Sequence, residues 1–109
     1  MKVSELVQKT GLAAINEYKD REIESVYISD MVSDLIASAK TNSVVVTLQA
    51  HKSLIAAANL AGAAMIVIVN GRKPSEDVVA LANRTGIGLF NYDLDSWAFA
   101  KKLVNLGFE

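Results

Sequence analysis

The chain has 109 residues, 51% of them hydrophobic and 21% charged, which is enough to bury one core and too short for two. Eleven Lys and Arg against twelve Asp and Glu leave a formal net charge of −1, so neither nucleic acid nor an anionic membrane is expected as a partner. With no cysteine and one histidine, disulfides, thiolate metal sites, a cysteine nucleophile and a multi-histidine centre are all excluded, and no cofactor or metal is expected.

The segment Met1–Val7 has an early acid and no apolar run, unlike a signal peptide. Ser4 is the expected cap of a helix from Glu5 to Thr10, stopped by Gly11. Leu12 to Ile15 is briefly apolar, and Asn16 to Arg21 is polar and turn-like. Ile23 to Ile28 has strand composition. Ser29 is then expected to cap a helix whose apolar stripe is Met31, Val32, Leu35, Ile36 and Ala39, with Asp30, Ser33, Asp34 and Ser38 left for water.

Val44–Val46 is a short β-branched strand, followed by the polar loop Thr47 to Lys52 and an alanine-rich helix from Ser53 to Ala61. Its small residues, Ala56 through Ala64, suit close approach, either to the chain's own sheet or to a second copy. Met65 to Val69 is five consecutive apolar residues, the mark of a strand covered on both faces. The whole apolar stretch Leu54–Val69 falls short of the roughly 20 residues that span a bilayer, so a soluble, cytoplasmic protein is expected.

Asn70–Pro74 is a loop, and Ser75 with Glu76 and Asp77 opens a helix that ends near Thr85 at Gly86. Ile87 to Phe90 is a further strand. Asp93 or Asp95 starts a last helix closed by Gly107, with Trp97 and Phe99 expected at its core and edge. From residue 23 onward strands alternate with helices at the spacing of a mostly parallel α/β sheet with helices on both faces.

No phosphate-binding loop, dinucleotide fingerprint, nucleophile elbow or H-E-x-x-H occurs. Gly86-Ile87-Gly88 is too short for the second of these and precedes a strand. Neither ATP hydrolysis nor protein phosphorylation is expected of such a chain. Candidate function falls instead on three strand-to-helix junctions: Ser29-Asp30; Thr47, Gln49, His51 and Lys52; and Asn70, Gly71, Arg72 and Lys73. Ligands of open α/β sheets collect outside the carboxyl ends of strands, where helix N-termini offer free amides. Each junction also has a plain structural reading, as an N-cap, a solvated loop or a turn.

Taken together, Val26-Tyr27-Ile28-Ser29-Asp30, Val46-Thr47-Leu48-Gln49-Ala50-His51, Val69-Asn70-Gly71-Arg72-Lys73-Pro74 and Gly86-Ile87-Gly88-Leu89 resemble the DRTGG-domain family over essentially the whole chain. That domain is similar to the N-terminal domain of HPr kinase/phosphorylase and to the middle region of long phosphotransacetylases. The resemblance implies a three-layer α/β/α fold, HPr-kinase N-domain-like, spanning residues 1–109 as a single domain. It also implies a non-catalytic regulatory module, of a kind often fused to catalytic or CBS domains. The chain departs from the family's name motif, with Gln49-Ala50-His51 in place of Gly-Asp-Arg and Val69-Asn70-Gly71 in place of Thr-Gly-Gly.

The leading expectation is therefore a ligand-sensing module that binds a small polar or phosphate-bearing ligand at one rim of the sheet. Small size and a mean hydropathy of +0.27 add the expectation of a two-fold homodimer. The rivals are an assembly factor that docks an unknown protein partner through its helices, and a small enzyme using His51 as general base with Asp30 or Arg72 in support.

Overall fold

Four of the five strands are short apolar runs that follow one another through helices. The computed structural model describes residues 1–109, in the order α1 (Val3–Thr10), β1 (Ala13–Ala14), β2 (Ser25–Ile28), α2 (Val32–Ser38), β3 (Ser43–Thr47), α3 (Lys52–Ala61), β4 (Met65–Ile68), α4 (Glu76–Thr85), β5 (Gly88–Asn91) and α5 (Ser96–Asn105). The strands form one sheet in the order β1-β5-β4-β3-β2. β2 through β5 are parallel, and β1 adds antiparallel to β5 through Ala13↔Asn91 and Ala14↔Phe90.

Each parallel strand lies beside its predecessor, so right-handed crossovers place α2, α3 and α4 on one face. Two separate cores confirm the layering. On that face Leu35, Leu54, Ile55, Val78 and Ala82 pack on Val45, Ile66, Ile68 and Leu89. On the other, Val3 and Leu6 of α1 and Phe99 and Leu103 of α5 pack on Val44, Val46, Val67 and Phe90. Alternate residues of β3 and β4 thus feed opposite cores, which is why both strands read as unbroken apolar runs. The result is the expected three-layer α/β/α sandwich with a mostly parallel sheet. No helix is long and apolar enough to cross a membrane.

Several local expectations are corrected. Lys2, not Ser4, is the N-cap of α1, and the Glu5 carboxylate accepts from the Lys2 amide at 3.2 Å. Ser4 instead binds Asp20 through both its amide (3.0 Å) and its hydroxyl (2.7 Å). These two bonds, the hydroxyl first, hold the Asp20 carboxyl below its ordinary value. Met31, not Ser29, is the N-cap of α2. Only Leu35 of the predicted α2 stripe is fully buried, and Met31 and Ile36 are exposed. Trp97 is 69% exposed rather than core, while Phe99 is fully buried. Of the two candidate starts for α5, Asp95 is the cap, accepting from the Ala98 amide at 2.9 Å.

Asn16 to Arg21, read as a polar turn, is a strap bound along the sheet's lower rim. Asn16 donates to Ile87 O (2.9 Å) and accepts from Leu89 N–H (2.8 Å), completing the edge of β5 through a side chain. Tyr18 meets Phe90 edge-on, with ring centroids 5.0 Å apart. Arg21 reaches across to the far end of α3.

Candidate functional site

Because β2, β3 and β4 are parallel and in register (Ile28↔Val46, Val46↔Val67), their carboxyl ends share one edge of the sheet. The three predicted junctions therefore stand along a single rim, and the end of β5 continues it.

The first two junctions are bound to each other. Asp30 Oδ1 accepts from the Thr47 hydroxyl (3.1 Å) and from Leu48 N–H (2.9 Å). Thr47 is fully buried, and its Oγ1 also accepts from Gln49 N–H at 3.1 Å. Asp30 and Thr47 thus fasten the β3–α3 loop to the β2–α2 loop. Ser29 Oγ accepts from Met31 N–H at 3.2 Å, a local turn bond. Nearby, the Tyr27 hydroxyl donates to Asp34 at 2.7 Å. That bond, with a lesser one from Ser29, holds the Asp34 carboxyl below its ordinary value.

His51 is the N-cap of α3: Nδ1 accepts from Ser53 N–H at 3.3 Å and lies 3.1 Å from Ser53 Oγ. The ring sits where Ser, Asp or Asn more commonly stand. Removing it by His51→Ala is expected to cost about 0.5–2 kcal/mol of stability, and His51→Asp to restore most of it. Thermal denaturation of the two variants checks this; equal losses in both would rule out the cap.

Lys52 pairs with Asp77 at 3.2 Å, joining the N-terminal ends of α3 and α4. The Asp77 carboxyl is held below its ordinary value first by the Ser75 hydroxyl and then by Lys52. Both partners of the ion pair are exposed, so its contribution to stability is small.

Asn70 and Gly71 both have positive φ, 60° and 65°, and Arg72 N–H bonds back to Val69 O at 3.3 Å. Those are the marks of a type I′ turn, which Asn-Gly favours. The turn is held by the next loop: Asn70 N–H donates to Leu94 O (2.8 Å) and Gly71 N–H to Tyr92 O (2.9 Å). Asn91 Nδ2 donates to Arg72 O. After β4 the chain turns to one face of the sheet and after β5 to the other, the arrangement that opens a crevice in doubly wound folds. Here those main-chain bonds close it, and the Asn70 and Gly71 amides are spent on the protein itself.

Space opens instead on either side of Asn91, whose role the sequence reading missed. A cavity of about 440 Å³ is lined by Thr10, Ala13, Asn91, Tyr92, Asp93 and Lys102, among others. One of about 330 Å³ lies between Ala13, Ile15, Lys73, Pro74 and Asn91. Polar residues directly after a strand, as in Asn91-Tyr92-Asp93, are the same signal that marked the other junctions.

The rim residues divide accordingly. Ser29, Asp30, Thr47, Asn70 and Gly71 build the loops. The side chains of Gln49, Arg72 and Lys73 and the Nε2 atom of His51 make no hydrogen bond or ion pair within the chain. These groups offer donors and positive charge to a ligand; no group of three or more His, Asp and Glu side chains is placed to hold a metal ion.

A sequence model of the DRTGG domain matches residues 5–106. No curated protein sequence matches the chain. Among solved structures the fold is similar to the CBS and DRTGG domains of the regulatory region of Clostridium perfringens pyrophosphatase, determined with its activator diadenosine tetraphosphate. The TM-score is 0.77 at 15% identity, over 94% of this chain and 45% of the other. The match to the family runs through every strand of the parallel sheet and every junction on its rim, and the chain belongs to the DRTGG domain family.

Proposed function

We propose that residues 1–109 are a non-catalytic regulatory module that binds a small polar or phosphate-bearing ligand at the carboxyl edge of the parallel strands and works as a homodimer. The reading rests on one observation above all: the Gln49, Arg72 and Lys73 side chains and His51 Nε2 stand unengaged along the rim, while Asp30, Thr47 and the Asn70 and Gly71 amides are bound internally. The DRTGG domain of the pyrophosphatase lies in a regulatory region solved with a dinucleotide activator, which supports a phosphate-bearing ligand. Asp30 sits on the same rim and disfavours a ligand that is anionic throughout, so a phosphate carried beside hydroxyl or amine groups fits better.

A thermal-shift screen of nucleotides, dinucleoside polyphosphates and sugar phosphates tests the reading. A ligand at ten times its dissociation constant adds about 1.4 kcal/mol, several degrees in a domain of this size. The informative variant is Gln49→Ala with Arg72→Ala, since neither side chain holds the fold. The expected outcome is a shift in the wild type that the variant loses. A shift of equal size in both proteins, or no hit across the screen, counts against the site.

A further inference from the structure

Of the chain's asparagines only Asn70 is followed by glycine. A glycine has no side chain to shield its main-chain nitrogen, so the side-chain carbon of the preceding asparagine meets least hindrance there. Asn70 is exposed, and it is held through its main-chain N–H, which donates to Leu94 O at 2.8 Å. Asn42 makes the contrast. It shares a φ of 60°, but its side chain accepts from Arg21 at 2.6 Å and donates to Glu24 at 2.9 Å, and Ser43 behind it is buried in β3.

The folded turn blocks attack of the Gly71 nitrogen on the Asn70 side chain. With φ of 60° and 65° at its two central residues, the turn is type I′, in which the first has ψ of about +30°. At that angle Cβ of Asn70 lies nearly anti to the Gly71 nitrogen across the Cα–C bond, and Cγ cannot reach it. A type II′ turn, with ψ of about −120° at the same residue, would bring the two together. It needs a negative φ at the second central residue, and Gly71 has a positive one. The Gly71 N–H also donates to Tyr92 O at 2.9 Å, so the proton that must leave is held by an acceptor. Bonds from Arg72 N–H to Val69 O and from Asn91 Nδ2 to Arg72 O complete the lock.

We propose that Asn70 is a site of spontaneous deamidation that the fold holds shut, and that the reaction runs when residues 70–72 part from Asn91, Tyr92 and Leu94. In that opened state the Gly71 N–H gives its proton to solvent base, and the nitrogen forms a bond to Asn70 Cγ. The bond from Cγ to Nδ2 breaks, the nitrogen leaves as ammonia with a proton from water, and a cyclic imide remains. Water then adds to one of the two imide carbonyls and opens the ring. One opening gives an aspartyl residue at position 70, the other an isoaspartyl residue whose main chain runs through the former side chain. Overall one water is consumed and one ammonia released. Either product puts a carboxylate on the turn that carries Arg72 and Lys73, and the isoaspartyl form lengthens the main chain and breaks the spacing of the type I′ turn.

Folded protein and the same chain in urea, held at one mildly alkaline pH and temperature, are compared by mass spectrometry of tryptic peptides over time. In urea the peptide Ser53–Arg72 is expected to gain one mass unit, with fragmentation placing the change at position 70 and not at Asn59. In the folded protein the gain should be at least about tenfold slower, because only the opened fraction reacts. Asn91→Ala removes the side-chain bond to Arg72 O, and should speed the folded reaction while leaving the rate in urea unchanged. Equal rates for the folded and the urea-treated wild type overturn the lock, as does an Asn91→Ala protein that is folded by circular dichroism and reacts no faster. If Asn91→Ala does not fold, hydrogen exchange of the wild type replaces it: a Gly71 amide that exchanges without protection overturns the lock as well. No change at position 70 in urea, or an earlier change at another asparagine, overturns the site itself.

Discussion

Replacing Phe90 by alanine is expected to remove about 3–5 kcal/mol of stability, a large share of the about 5–15 kcal/mol that holds a domain together. Phe90 is fully buried at the centre of β5, in the core shared with α1 and α5. Its ring is fixed on the strap side by Tyr18, edge-on at 5.0 Å, and from below by Gly88. A Cβ built on Gly88 would come within 2.6 Å of the Phe90 ring and 3.2 Å of Tyr18, so the ring occupies the space a side chain would need. The cavity left by Phe90→Ala is walled by the sheet, by the core side chains of α1 and α5 and by half-buried Tyr18 of the strap, and the close-packed neighbours collapse into it only at a cost. Chemical denaturation with a two-state fit measures the loss. A change below about 1 kcal/mol would mean that the ring does not anchor strap, strand and helix together.

Arg21→Ala carries the second-largest expected effect. Its guanidinium donates to Ala63 O at 2.9 Å, Asn42 Oδ1 at 2.6 Å and Gly62 O at 3.3 Å. Gly62, in the left-handed conformation at φ 75°, ends α3, and the carbonyls there have no partner within the helix. Arg21 supplies one, and in the same stroke ties the strap to the α3–β4 turn and to Asn42, which also donates to Glu24 at 2.9 Å. Hydrogen bonds from a charged donor are worth about 1.5–3 kcal/mol each and do not add freely, so the expected cost is about 3 kcal/mol. Lysine lacks the planar fork and should recover only part of it. Urea unfolding of Arg21→Ala and Arg21→Lys checks the order; a lysine variant as stable as wild type would show that charge alone suffices.

How much of this architecture could be read from residues varies along the chain for physical reasons. Val44–Val46 and Met65–Val69 announce strands covered on both faces, and every one of those residues is buried. Gly11 and Gly86 mark helix ends because the left-handed conformation there suits glycine, with φ of 72° and 78°. Capping serines proved ambiguous. A serine hydroxyl serves as readily in a loop bond, as at Ser4 with Asp20, or in a local turn, as at Ser29 with Met31, as on the first turn of a helix. The α5 periodicity held two apolar stripes, and nothing in 3.6-residue spacing says which one faces the sheet; the fold buried Phe99 and left Trp97 outside.

The amino-acid sequence by itself determined the alternation of strands and helices, the parallel sheet between two helical layers, and the placing of three polar junctions at strand ends. Those follow from short-range patterns: apolar runs too short for helices, amphipathic stretches too long for strands, and the handedness that crossovers share. Only the tertiary structure decided what the junctions do. Whether Asp30 is free or holds Thr47 and Leu48, and whether the Asn70 and Gly71 amides await a ligand or bind Leu94 and Tyr92, depends on loops brought together across the sheet. The strap was hidden for the same reason. Asn16 meets Ile87 and Leu89 more than seventy residues away, and the partner that gives a polar segment its structure leaves no trace in the segment's own composition.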